Sequence, residues 1–156
     1  EAPIPLYALK LLSGTVQVEP ALCREIINLG LAPKFFDFLA LEHPNNIEQN
    51  IRLCLSLARS RAMSTKSLWE YKAPEKIARV TVYSHEKSVV QFSEPALGIA
   101  ATLLRRAQSV EQGADALEHI APLLNIASTL RQLASSIPDG GLARDITHAL
   151  DAFNAH

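Results

Sequence analysis

At 156 residues the chain has the length of one domain, and 48% hydrophobic residues are enough to build a core, which excludes a disordered tail. Only 6 glycines and 6% aromatics, beside abundant Ala and Leu, argue for helices and against a sheet protein. A net charge of −1 argues against a protein that works by neutralising many phosphates.

The elements follow in chain order. Pro5 suits the first turn of a helix, and Leu6, Leu9, Leu12 and Val16 make its apolar stripe. A second helix starts around Pro20, carries Leu22, Cys23, Ile26 and Ile27, and ends at Gly30. A third starts at Pro33 with Phe35, Phe36, Phe38 and Leu39, and His43 to Asn46 reads as a turn. The fourth begins near Asn46, and its Leu53 to Leu57 run, apolar on nearly every side, marks a helix buried between neighbours. Ser64 is an N-cap for a short helix through Trp69. Pro74 opens the next, with Val80 to Tyr83 kept helical despite its β propensity, and Ser84 to Ser88 reads as a turn. Ser93-Glu94-Pro95 opens a long helix, and Ser109 with Gln112 fits a capping box. Pro122 opens another, Pro138 to Gly141 turns the chain, and a last helix runs from about Leu142 to Phe153.

One repeat organises these elements. Ala-Pro recurs at Ala32-Pro33, Ala73-Pro74 and Ala121-Pro122, each time ahead of an amphipathic stretch. A period near 40–47 residues with two or three helices per unit is the pattern of armadillo and HEAT arrays. A lone helix pair cannot cover its own apolar face, and stacked units cover one another. The expected fold is all-α, a right-handed α-solenoid of about three armadillo-like units over residues 1–43, 44–87 and 88–137, closed by a terminal helix over 139–156.

The stretch from Pro20 to Pro33, a helix, then Gly30, then Leu31-Ala32-Pro33, resembles the step into a groove-lining helix of an armadillo repeat, and Pro5 to Leu12 resembles the helix before it. Weaker similarity extends to about Leu104. Within that superfamily the run resembles the C-terminal armadillo regions of Fused and Unc-51-like kinases and pseudokinases. The resemblance implies a non-catalytic docking tail in a cytoplasmic, cytoskeleton- or cilium-linked setting. It also implies that the last helix of each unit lines a concave face. With the units cut as above, that face falls on the helices after Pro33 and Pro74. Their polar members, Lys34, Asp37, Lys76, Arg79 and Tyr83, are the expected partner-binding residues, with Phe38 either core or an exposed anchor. The Trp-to-Asn ladder of nuclear-import armadillo proteins is absent: Trp69 has Ala73, not Asn, one turn on.

The chemistry-bearing residues make no motif. The 5 histidines are scattered, no Cys pair has zinc spacing, and no Gly-rich phosphate loop exists, so no enzyme, metal or cofactor is expected. Cys23 and Cys54 sit in apolar helical patterns and read as buried thiols of a reducing compartment. The chain starts at Glu1 in mid-pattern and is expected to be a piece of a longer protein, with no signal peptide or membrane span.

Charge is uneven. Residues 52–87 carry 8 basic and 3 acidic side chains, while both flanks are net acidic. This basic island motivates the leading expectation, a scaffold whose groove takes an acidic or amphipathic segment of a protein partner. The alternative is a nucleic-acid-binding helical repeat using the same island, which the acidic flanks oppose. The third reading, a small cysteine-dependent enzyme, has nothing in the sequence to favour it, and self-association through uncapped repeat ends is a further expectation, since terminal repeats need a polar outer face.

Overall fold

The computed structural model describes residues 6–19, 21–39, 41, 44–109 and 113–155, and among them every regular element is a helix. In order these are α1 (Leu6–Val18), α2 (Ala21–Asn28), α3 (Ala32–Asp37), α4 (Pro44–Arg59), α5 (Thr65–Glu70), α6 (Ala73–Lys87), α7 (Val90–Ser109), α8 (Gly113–Leu124), α9 (Ala127–Ser136) and α10 (Gly140–Ala152). Pro5, Pro20, His43 and Gln112, to which the sequence assigns helix starts, a turn and a capping box, lie outside the described residues. So do the side chains of Leu6 and Leu9. Of that first stripe, Leu12 is half-buried and Val16 buried.

The helices pack as an all-α solenoid. α1 lies on α4, α4 on α7, and α7 on α10, so every third helix is a rung of one continuous layer. Within the stack α3 packs on α4, α6 on α7 and α9 on α10. Grouped by contact, the triads are α2–α4, α5–α7 and α8–α10, preceded by α1. Cuts at 43/44 and 87/88 would part α3 from α4 and α6 from α7, helices that share a core. The third helix of each triad, not the proline-led second one, therefore runs along the stack.

α7 is the central rung. It touches α4, α6, α8 and α10, and Leu97, Ile99, Ala100, Ala101, Leu103 and Leu104 are fully buried. From Ala96 to Leu104 every residue is buried, as in a helix flanked on several sides. Small residues let its neighbours approach: a Cβ on Gly98 would sit 3.1 Å from Leu55 Cδ1. Each fully buried Leu or Ile contributes about 1.5–3 kcal/mol through lost water contact.

Local chemistry accounts for several boundaries. Gly30, at φ +73°, closes α2, with its amide bonded to Ile27 O and that of Leu31 to Ile26 O, a Schellman pattern. Ser64 caps α5, accepting from the Ser67 amide, as its sequence position requires. Asp139 Oδ1 accepts from the amides of Gly141 and Leu142 (3.0 and 3.1 Å), so α10 starts at Gly140, inside the expected turn.

Four sequence expectations are corrected. α7 starts at Val90 rather than at Pro95, because Ser93 is buried with its hydroxyl 2.7 Å from that of Ser84 and is not a cap. Pro122 lies inside α8 rather than opening a helix, and α9 starts at Ala127. The carbonyl that Pro122 leaves without a helical donor is that of Glu118, an exposed residue at which water can substitute. Ser84 to Ser88 is not a turn: α6 continues to Lys87 and stops at Ser88, φ +55°. Ser109 is the last residue of α7, its Oγ donating to Arg106 O.

The two flanks of the stack differ. α10 presents Arg144, Thr147, His148 and Asp151 to solvent, whereas α1 presents Leu11, 71% exposed, with Val18, 85% exposed, at its C-terminal end.

Candidate functional site: the groove across the third helices

A polar concavity crosses the rungs α4, α7 and α10. It is an open groove of about 640 Å³. Arg52, Leu55 and Arg59 line it from α4, spaced so that all three share one face of that helix. Gln91, Glu94, Pro95 and Gly98 line it from α7, and Asp139, Gly141, Leu142 and Asp145 come from α10 and its cap. Gly98 forms the floor. A Cβ there would lie 3.1 and 3.3 Å from the two Leu55 methyls and 3.4 Å from Arg59 Nη2, so both side chains cross the α7 backbone at this point.

Two features distinguish the groove. Pro95 has no N–H, so the Gln91 carbonyl beside it cannot take the usual helical bond from that position. The walls also differ in sign, with Arg52 and Arg59 on the α4 side and Asp139 and Asp145 on the α10 side. Asp145 makes only a long, exposed pair with Arg105 (3.9 Å), and neither Arg52 nor Arg59 has an ion pair among the described residues. Val90, 75% exposed, adds an apolar contact at the mouth.

The five sequence-derived residues lie elsewhere, on α3 and α6. Asp37 and Lys76 bond each other across 2.7 Å, tying the second helix of one triad to that of the next. Such an exposed pair contributes at most about 1 kcal/mol. Lys34 and Arg79 are exposed, and Tyr83 is half-buried and stacked on Phe92 at 6.3 Å. Phe38 is half-buried, edge-on to Phe35. Sequence reasoning missed Arg52, Arg59 and Gly98. The signal was present in the basic island, which begins at Arg52, and in the Leu53 to Leu57 run that marks α4 as a helix between neighbours. Units cut at 43/44 and 87/88 end on α3 and α6, whereas grouping the helices by contact ends them on α4 and α7.

Several polar groups serve the fold. The Arg106 guanidinium donates to Ala58 O (3.0 Å), Ser60 O (2.9 Å), Met63 O (2.7 Å) and Thr65 Oγ1 (3.3 Å), closing the C-terminal end of α4 and the turn after it. Burial presses its pKa below the ordinary arginine value. Asn50 Nδ2 and Cys54 Sγ both donate to Phe35 O, joining α4 to α3. Trp69 stacks flat on His119, ring centroids 5.4 Å apart, joining the first helices of two triads. Burial pushes both thiols up, and at Cys54 the Lys76 charge opposes this only in part.

Among the described residues no three His, Cys, Asp or Glu side chains converge as a metal site would require. No described helix is long and apolar enough to cross a membrane.

No solved structure matches the chain. A segment of 113 residues is 28% identical to the serine/threonine-protein kinase RUNKEL of Arabidopsis thaliana, covering 72% of this chain and 8% of that protein. The chain therefore spans a small part of its relative's length. Residues 31–149 match the family model of the RUNKEL ARM-repeat domain, most of the chain and all of it from α3 into α10. With its helical triads stacked rung on rung and this match along them, the chain belongs to the RUNKEL ARM-repeat domain family.

Proposed function

We propose that the chain is a non-catalytic docking module, and that the groove across α4, α7 and α10 binds an extended segment of a protein partner in the cytoplasm. A kinase-linked parent protein belongs to the same proposal, since the matched relative is a kinase. The observation that carries the reading is the groove itself. It crosses consecutive rungs of the repeat, its arginines are without an ion pair among the described residues, and Pro95 withholds one helical donor beside it. An extended peptide satisfies such a surface through its own main chain and alternate side chains, and Arg is a frequent anchor where partners meet.

The test is co-purification followed by direct titration of the recovered partner. Val90→Glu with Glu94→Arg alters the mouth of the groove at two exposed positions and is expected to weaken binding at least about tenfold. Arg79→Glu, on exposed α6, is expected to leave it unchanged. Binding that is lost with Arg79→Glu and kept with the groove variant would move the docking surface to the face carrying Lys34, Asp37, Lys76, Arg79 and Tyr83.

A further inference from the structure

We propose that the hollow between α1, α2 and the C-terminal end of α4 seats an acidic segment of a partner protein, held by Arg24, Arg59 and Arg61. The proposal rests on the docking reading above and names the partner chemistry. The hollow measures about 810 Å³. Its floor is apolar, with Val16 and Cys23 2% and 3% exposed, and the three exposed arginines stand around it. Among the described residues Glu25 is the one carboxylate in its lining. None of the three guanidiniums donates a hydrogen bond or joins an ion pair among the described residues.

A solitary exposed arginine is unremarkable, being well solvated where it stands. Three of them around one concavity with an apolar floor present a forked-donor surface that matches carboxylates, and the floor takes small aliphatic side chains between them. Arg59 also lines the neighbouring groove, so the two concavities adjoin at its side chain. A segment anchored in the hollow extends naturally over α7.

The sign of charge along that path decides between two kinds of partner. The hollow has three arginines against Glu25, whereas the groove beyond it has Glu94, Asp139 and Asp145 against Arg52 and Arg59. A polyphosphate backbone carries a negative charge at every step and is repelled once it leaves the hollow. A peptide can change sign along its length. The geometry therefore points to a protein segment that is acidic at one end, and away from nucleic acid.

The experiment titrates the purified chain with three fluorescein-labelled probes, followed by anisotropy. They are a short peptide alternating Glu and Asp with Leu and Ala, the same peptide with Lys at every acidic position, and an oligothymidine of equal length. The acidic peptide is expected to bind saturably, at least about tenfold tighter than the Lys peptide. Its affinity is expected to fall several-fold between about 50 and 500 mM salt, as screening shortens the reach of the arginines. Arg59→Glu with Arg61→Glu is expected to weaken it about tenfold or more, with circular dichroism showing the helices intact. No saturable binding of the acidic peptide, binding indifferent to the arginine reversals, or tighter binding of the oligothymidine each overturns the proposal. Failure here with the groove variant still disrupting partner binding leaves the docking module standing and removes only its acidic ligand. Failure of both removes both.

Discussion

Arg106 is the side chain on which one junction of the stack depends, and replacing it with Met isolates its contribution. The methionine keeps much of the aliphatic stem and removes the guanidinium. Three carbonyls then lose a donor, those of Ala58 and Ser60 around the end of α4 and that of Met63 before α5. The last carbonyls of a helix have no intrahelical partner, and a cation there also favours the helix dipole. At about 1 kcal/mol net for each bond, Arg106→Met costs about 3 kcal/mol. For a chain of this size that is a fall in melting temperature of about 6–12 °C. Arg106→Lys keeps the charge but cannot fork to three acceptors, so it restores about half. The assay is urea unfolding followed by far-UV circular dichroism, with hydrogen exchange to locate the loosening around residues 58–65. A Met variant within about 0.5 kcal/mol of the parent, or a Lys variant indistinguishable from it, would refute the claim that the fork holds this junction.

Lys72 sits between α5 and α6 at φ +58°, and its Glu75 pair is 4.0 Å long and exposed. Lys72→Gly relieves the left-handed strain and is expected to stabilise the chain by about 0.5–1 kcal/mol, visible as a higher melting temperature; an unchanged or lower one counts against it. Both thiols are raised above their ordinary value of 9.0, so in the folded chain they stay protonated where the unfolded chain ionises. Their contribution is complete below pH 9 and is lost as the pH climbs above it, so unfolding free energy should decline there, and less so in Cys54→Ser measured against its own neutral-pH value. At neutral pH, alkylation of Cys54 should proceed no faster than the chain opens, with Cys23 reacting sooner; a fast-reacting Cys54 would show that the site is open.

Much of the helical inventory was legible because it depends on neighbours in sequence. Gly30 and Ser64 mark boundaries through bonds to amides and carbonyls a few residues away, and local chemistry of that kind can be read from a string of letters. Ser93 and Pro122 misled for a reason equally physical. A serine before Glu-Pro looks like a cap until Ser84, nine positions earlier, takes its hydroxyl into the core. A proline after alanine looks like a start until α8 carries it where only the exposed Glu118 loses a donor.

By itself the sequence determined that this chain is a stack of amphipathic helices, since its Leu and Ala spacing leaves each helix a face that must be covered. It also determined where the positive charge concentrates, beginning at Arg52. Only the tertiary structure decided which helix of each triad became the rung. Both α4 and α6 are apolar enough to be buried, and the choice depends on which faces fit together across α1, α4, α7 and α10. Gly98 beneath Leu55 and Arg59 is the clearest instance. Its missing side chain lets two helices separated in sequence by α5 and α6 close on each other, and that closeness brings Arg59 against the groove lining.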